Sequence, residues 1–222
     1  MKMRSEKNFI TAGVLMILFL LLTILVQIVD VKPLGVNGTN IGFSTVNCCF
    51  HGLTGVNMVL YHITDWLGLV PLIVCLIFAG VGFIQAIKRR SVFLVDYDIL
   101  LLGLYYLLIF FCYTVFESIP INYRPVLING VQEASYPSST TLLVMGIMPT
   151  LQEQVRRRVK RKSVRDFICV FAVVFSMFMV IGRAVCGVHW LTDIVGSLLF
   201  CGGLFHIYKA FILLLDKRGK VG

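Results

Sequence analysis

Apolar residues come in long blocks along this chain, and the short polar stretches between them mark where elements end. The first block covers about residues 9–29, behind a basic leader at 1–7. It exceeds the ~7–15 apolar residues of a cleavable signal core, so it predicts a retained first membrane span. A polar loop with Gly and Asn follows to about Asp65, and its second half, roughly 46–61, has the mixed periodicity of an interfacial helix. A second span is predicted over about 66–87, stopping at Lys88, Arg89 and Arg90, and a third over about 99–116. The loop 117–137 holds Tyr123-Arg124-Pro125 and Tyr136-Pro137. A fourth segment, about 138–155, has the weakest pattern: it is short, carries Pro149 and ends in Gln152-Glu153-Gln154. A fifth span over about 167–185 and a sixth over about 190–215 complete the series. The expected fold is an all-α bundle of six transmembrane helices, one integral-membrane domain over 1–222.

Composition agrees, with 58% hydrophobic and 14% charged residues, which excludes a soluble globular core. The formal charge of +9 raises the question of nucleic acid, and its distribution answers it. With the N-terminus inside, seventeen of the 20 basic residues fall on cytoplasmic segments, including the run at 156–165. That is the positive-inside pattern of a plasma-membrane protein with both termini cytoplasmic. It also supports the fourth span, without which the 156–165 run would face outward. Nucleic acid is therefore not an expected partner; the bilayer is, with anionic-lipid contact a second role for that run. The seven cysteines show no C-x-x-C pairing or metal-ligand spacing, so no metal is expected. Cys48 and Cys49 are adjacent and extracytoplasmic, and a disulfide there is not inferable from sequence.

Three basic residues remain outside: Lys32, Arg124 and Arg183. Arg183 belongs to the stretch GRAVCGVHWLTD at 182–193, with His189 and Asp193. An arginine or aspartate at a bilayer centre costs roughly 2.5–3.5 kcal/mol on insertion scales, so these groups belong at a membrane face or in a wet cavity. His189 and Asp193 are four apart and share a face if helical. The carboxylate can hold one imidazole nitrogen and leave the other free to attack, while Arg183 supplies a fork suited to phosphate. Arg124, Ser138, Arg183, His189 and Asp193 all map to one membrane face. Ser138 or Ser139 can cap the fourth helix, whose free N–H groups would then point at an anion.

These residues resemble the membrane-embedded type 2 phosphatidic acid phosphatases, whose motifs are K-x6-R-P, P-S-G-H and S-R-x5-H-x3-D. The third is met by Gly182-Arg183, His189 and Asp193, with only the leading serine changed; Arg124-Pro125 gives the R-P; Pro137-Ser138-Ser139-Thr140 stands at the second. The resemblance implies that His189 is a nucleophile forming a phosphohistidine and that Asp193 orients it. It implies that Arg124, Arg183 and Ser138 bind phosphoryl oxygens of a lipid phosphate or diphosphate, with no cofactor. Two positions depart from it. The lysine falls at Glu117, and the second histidine, the acid that protonates the leaving group, falls at Thr140. A lost general acid typically costs ~10²–10⁴ in rate. Three explanations compete: a leaving group needing little protonation, substitution by His51 or His62, or a site that binds phosphate without turnover. The first is favoured and points to a polyprenyl diphosphate such as undecaprenyl diphosphate. The alternative function is a catalytically silent lipid-phosphate binder; a transporter lacks its paired broken helices.

Other features read as structural. His206 is expected to be packed or hydrogen-bonded; His62 and Asp65 could form a helical pair, but His-x-x-Asp is a weak pattern and a structural role is expected there. Glu117 and Glu133 are loop acids that could line the site. Asn37-Gly38-Thr39 fits a glycosylation sequon, which matters only in a eukaryotic secretory route.

Overall fold

In hydrocarbon no water satisfies backbone N–H and C=O groups, so an apolar run of spanning length must close its hydrogen bonds internally. Every predicted run does so as helix. The computed structural model describes residues 2–218, and these form α1 (Lys2–Ile28), α2 (Ser44–Thr54), α3 (Met58–Leu67), α4 (Leu69–Arg89), α5 (Tyr97–Ser118), α6 (Ser139–Arg158), α7 (Lys162–Val185) and α8 (Leu191–Arg218). Short 3-10 turns lie at Val36–Gly38 and Val92–Leu94. Extended pairing among the described residues is limited to isolated bridges such as Tyr123 with Ala134.

Among the described residues five helical stretches are long and apolar enough to cross a membrane: Met3–Ile28, Met58–Arg89, Tyr97–Ser118, Lys162–Val185 and Leu191–Lys217. The expected fourth span, α6, is helical but does not meet that standard. Its position explains why. It packs against α4, α5, α7 and α8 and buries Thr140, Thr141, Thr150 and Gln154 along with Leu142, Val144, Ile147 and Met148. A helix enclosed by protein can carry polar groups where they find partners. Thr150 bonds the Tyr106 hydroxyl at 2.8 Å, and Gln154 donates to the Tyr208 hydroxyl at 2.9 Å. At 20 residues α6 is ~30 Å long, enough to run from one end of the bundle to the other.

Three boundaries differ from expectation. The single interfacial helix over 46–61 is instead α2 and α3, because Gly55 (φ 62°, ψ −160°) breaks it and the Asn57 side chain caps the second piece by accepting from Leu60 N at 2.9 Å. The second span begins at Met58, because Gly68 keeps helical angles between α3 and α4. Glu117 lies in the last turn of α5 and not in the following loop.

The bundle has two unlike ends. At one, Arg89 pairs with Asp96 at 2.8 Å, Arg158 with Asp98 at 2.6 Å and Arg157 with Asp216 at 2.8 Å. The basic run is thus partly a clasp joining α4, α5, α6 and α8. The N-terminal part of α1 joins the same end through Asn8 and His206, 2.8 Å apart, so His206 is hydrogen-bonded as expected. The opposite end gathers α2, α3 and the turns that precede α6 and α8, and there the motif residues meet.

Candidate active site

The turn between α7 and α8 places the histidine. Gly187 has φ +73°, and a Cβ on it would lie 1.8 Å from the Gly55 carbonyl oxygen, so no side chain fits. Asn57 N donates to Cys186 O at 3.0 Å, which seats the α2–α3 junction on this turn. Trp190 N donates to Asp193 Oδ2 at 2.8 Å, and its indole N–H donates to Tyr123 O at 2.8 Å, tying the Arg124 loop to the same turn. His189 and Asp193 are buried.

His189 precedes α8, so the expected helical i,i+4 pairing is made across the helix start. Its Nδ1 stands 3.6 Å from Asp193 Oδ2, beyond a good hydrogen bond. Ser135 bridges the gap: its hydroxyl donates a short hydrogen bond to Asp193 Oδ2 and its oxygen lies 3.4 Å from His189 Nδ1. Sequence reasoning missed Ser135; its one signal is a small polar residue two positions before Pro137. On the other side of the ring, Arg183 Nη2 is 3.3 Å from Nε2. A guanidinium only donates, so Nε2 presents its lone pair and the proton is assigned to Nδ1, facing Ser135 and Asp193. Burial, then the charges of Arg124 and Arg183, hold this imidazole well below its ordinary pKa. The ring is neutral.

The two arginines are anchored differently. Arg124 pairs with Glu133 at 3.1 Å and donates from Nε to Ala134 O at 3.3 Å. Arg183 donates from Nη1 to Thr64 Oγ1 at 3.4 Å and lies 3.9 Å from Asp65. Arg124 Nη1, Arg183 Nε and Asp193 Oδ1 are buried without hydrogen-bond partners among the described residues. Two buried N–H groups left over on adjacent cations are what an oxyanion would satisfy.

Ser138 stands at the start of α6 but does not cap it as expected: its hydroxyl donates to Thr141 Oγ1 at 3.1 Å. Its backbone N–H bonds Asp193 O at 3.2 Å, locking α6 to α8. Ser139, Thr140, Glu117, Glu133, Asp65 and Arg124 line a cavity of about 390 Å³. His189, Arg183 and Ser138 are not on its wall. Neither His51, tilted against Trp190 with ring centroids 5.5 Å apart, nor the exposed His62 lines it. Asp65 faces Arg183, while His62 lies against Tyr61, so the anticipated His62–Asp65 pair divides between two neighbours. Cys48 and Cys49 are free thiols.

Comparison with known proteins gives the same picture. The PAP2 superfamily matches residues 72–215. No curated relative matches. Among solved structures, the chain is similar to the first transmembrane PAP2-type phosphatidylglycerolphosphate phosphatase from Bacillus subtilis, with a TM-score of 0.64 and 15% identity over 94% of this chain and 96% of that one.

Proposed function

The chain belongs to the PAP2 superfamily, and from that premise we propose that it hydrolyses a membrane lipid phosphate or diphosphate through a phosphohistidine on His189. The observation that carries this reading is the placement of His189, with its Nε2 beside Arg183 and its Nδ1 backed by Ser135 and Asp193. A phosphate entering the cavity meets Arg124 first. To reach Nε2, its phosphorus must displace Arg183 from that nitrogen, and the guanidinium then bonds a phosphoryl oxygen. In the first step the Nε2–P bond forms, the P–O bond to the leaving group breaks, and that oxygen takes the electron pair. The ring becomes cationic, and the Ser135–Asp193 pair stabilises its Nδ1–H. Water then attacks phosphorus, the P–N bond breaks and inorganic phosphate is released. Arg124 and Arg183 stabilise the negative charge on the equatorial oxygens throughout. Ser138 and Ser139 lie at the start of α6, whose first backbone N–H groups add donors on that side.

Thr140 supports a diphosphate as the preferred substrate. A diphosphate expels a phosphate monoester, a far weaker base than an alkoxide, so the absence of a histidine acid costs little. A polyprenyl diphosphate fits that requirement. Thr140→His is then expected to raise turnover of lipid monophosphates and leave diphosphate turnover nearly unchanged. The same position favours the second reading, a lipid-phosphate binder without turnover. The six-span arrangement, with both termini cytoplasmic and the site facing outward, rests on the charge asymmetry and on α6 lying inside the bundle.

The direct test is chemical trapping. Brief exposure to ³²P-labelled diphosphate substrate followed by alkaline denaturation should leave an acid-labile label on the protein, absent in His189→Ala. An unlabelled wild-type protein that still releases phosphate would overturn the covalent mechanism.

A further inference from the structure

Helix α3 lies outside the residues that carry the family match, yet one face of it touches the arginine clamp. Tyr61, Thr64 and Asp65 are spaced three and four apart and so project from that face together. Tyr61 is buried, its ring centroid 4.8 Å from Arg183 Cζ and 5.9 Å from Arg124 Cζ. Thr64 is fully buried; its hydroxyl reaches the carbonyls of Leu60 and Tyr61, each at 2.9 Å, and its oxygen accepts from Arg183 Nη1 at 3.4 Å. We propose that α3 is a working part of the anion clamp, with Tyr61 and Thr64 as positioning residues that fix where Arg183 presents its N–H groups. This rests on the reading of Arg183 as a phosphate ligand.

A buried guanidinium that binds an anion must be held without its donors being used up. Arg124 is paired with Glu133 and gives part of its fork to that carboxylate. Among the described residues Arg183 has no carboxylate closer than Asp65 at 3.9 Å, and the Asp65 side chain is 55% exposed. An aromatic face attracts the cation through its quadrupole and takes none of the in-plane N–H groups. Tyr61 therefore stabilises Arg183 beside a second cation while leaving its donors free, and Nε is in fact unpartnered. Thr64 adds one neutral acceptor that sets the rotation of the fork.

Gly182 makes this contact feasible. A Cβ there would lie 2.8 Å from Thr64 Cγ2, so α3 sits directly on the turn of α7 that carries Arg183. This is the position where the motif otherwise has serine. Glycine gives α3 room at the clamp, and Thr64 brings a hydroxyl to Arg183 from the other helix.

The test measures anion affinity and turnover separately on the full chain in detergent. Orthovanadate and inorganic phosphate serve as probes, read by competitive inhibition and by thermal stabilisation of the protein. Tyr61→Leu is expected to weaken both probes about tenfold, and Thr64→Val about threefold to tenfold. Tyr61→Phe and Thr64→Ser, which keep the ring and the hydroxyl, should stay within about twofold of wild type. In an Arg183→Ala background, Tyr61→Leu and Thr64→Val should have no further effect on anion affinity, because the interaction they serve is gone. The exposed neighbour Val59→Ala controls for α3 folding and should match wild type. Unchanged anion affinity in Tyr61→Leu, or equal losses with and without Arg183, would overturn the proposal. So would a wild-type protein that no anion stabilises. Anion binding that depends on Tyr61 in a protein without turnover would leave this inference standing and remove the hydrolase reading.

Discussion

At the scale of single residues, Ser135 changes the account of the nucleophile most. A direct His189–Asp193 pair is legible from the i,i+4 spacing, but the 3.6 Å separation leaves the serine hydroxyl as the link. Nothing in the sequence announces this, because Ser135 reaches the pair only once the loop before α6 docks on α8. A hydrogen bond that supports a developing cation is worth about 1.5–3 kcal/mol, so Ser135→Ala should lower kcat about tenfold to a hundredfold with KM little changed. Steady-state kinetics on the preferred lipid checks this. The depressed imidazole also has a pH signature. Its neutral form, with Nε2 free, persists below the ordinary histidine value of 6.5, so turnover should hold as pH falls through 6.5 and decline only at lower pH. Stability follows the same sign: the unfolded histidine takes up a proton near 6.5 and the buried one does not. The contribution is therefore complete above 6.5 and is lost as pH falls below it. Arg124→Gln removes part of the depression and should move the acidic limb of the rate profile to higher pH.

At the scale of elements, the most informative helix is α6. Its hydropathy hides it, and only the basic run at its end implies a crossing. The reason is physical: α6 faces protein on most sides, so Thr150 and Gln154 are satisfied by Tyr106 and Tyr208 and need not be apolar. Thr150→Val leaves the buried Tyr106 hydroxyl without this partner and should cost about 0.6–1.7 kcal/mol in detergent unfolding. The outer helices were legible in number and place, since lipid imposes apolarity on them directly, although α1, the second span and α7 begin five to eight residues before the predicted starts. The split of α2 from α3 was not, because it depends on Gly55 taking a positive φ that mixed periodicity does not reveal. That split is also what brings Tyr61 and Thr64 to Arg183.

At the scale of the whole molecule, charge divides the two ends. The clasp of Arg157 and Arg158 with Asp216, Asp96 and Asp98 occupies one end, and the arginine clamp the other. The proposed orientation predicts that a single cysteine placed at Lys160 reacts with a membrane-impermeant thiol reagent only after the membrane is opened. One placed at Asn129 should react in intact cells. The reverse result would invert the topology. The residues Arg124, Arg183, His189 and Asp193 were legible as a set from motif spacing, and the fold does bring them together. Glu117 and Glu133 were legible as acids that could line the site, whereas Asp65 joins them on the adjoining cavity only with α3 in place.

The most direct measurement is phosphate release by the purified chain in detergent without added metal. Undecaprenyl diphosphate, its monophosphate and phosphatidic acid would be offered, with His189→Ala beside wild type. Turnover is expected to prefer the diphosphate and to disappear in His189→Ala. Equal turnover of the diphosphate and phosphatidic acid would contradict the leaving-group argument, and no release from any of the three would contradict catalysis itself.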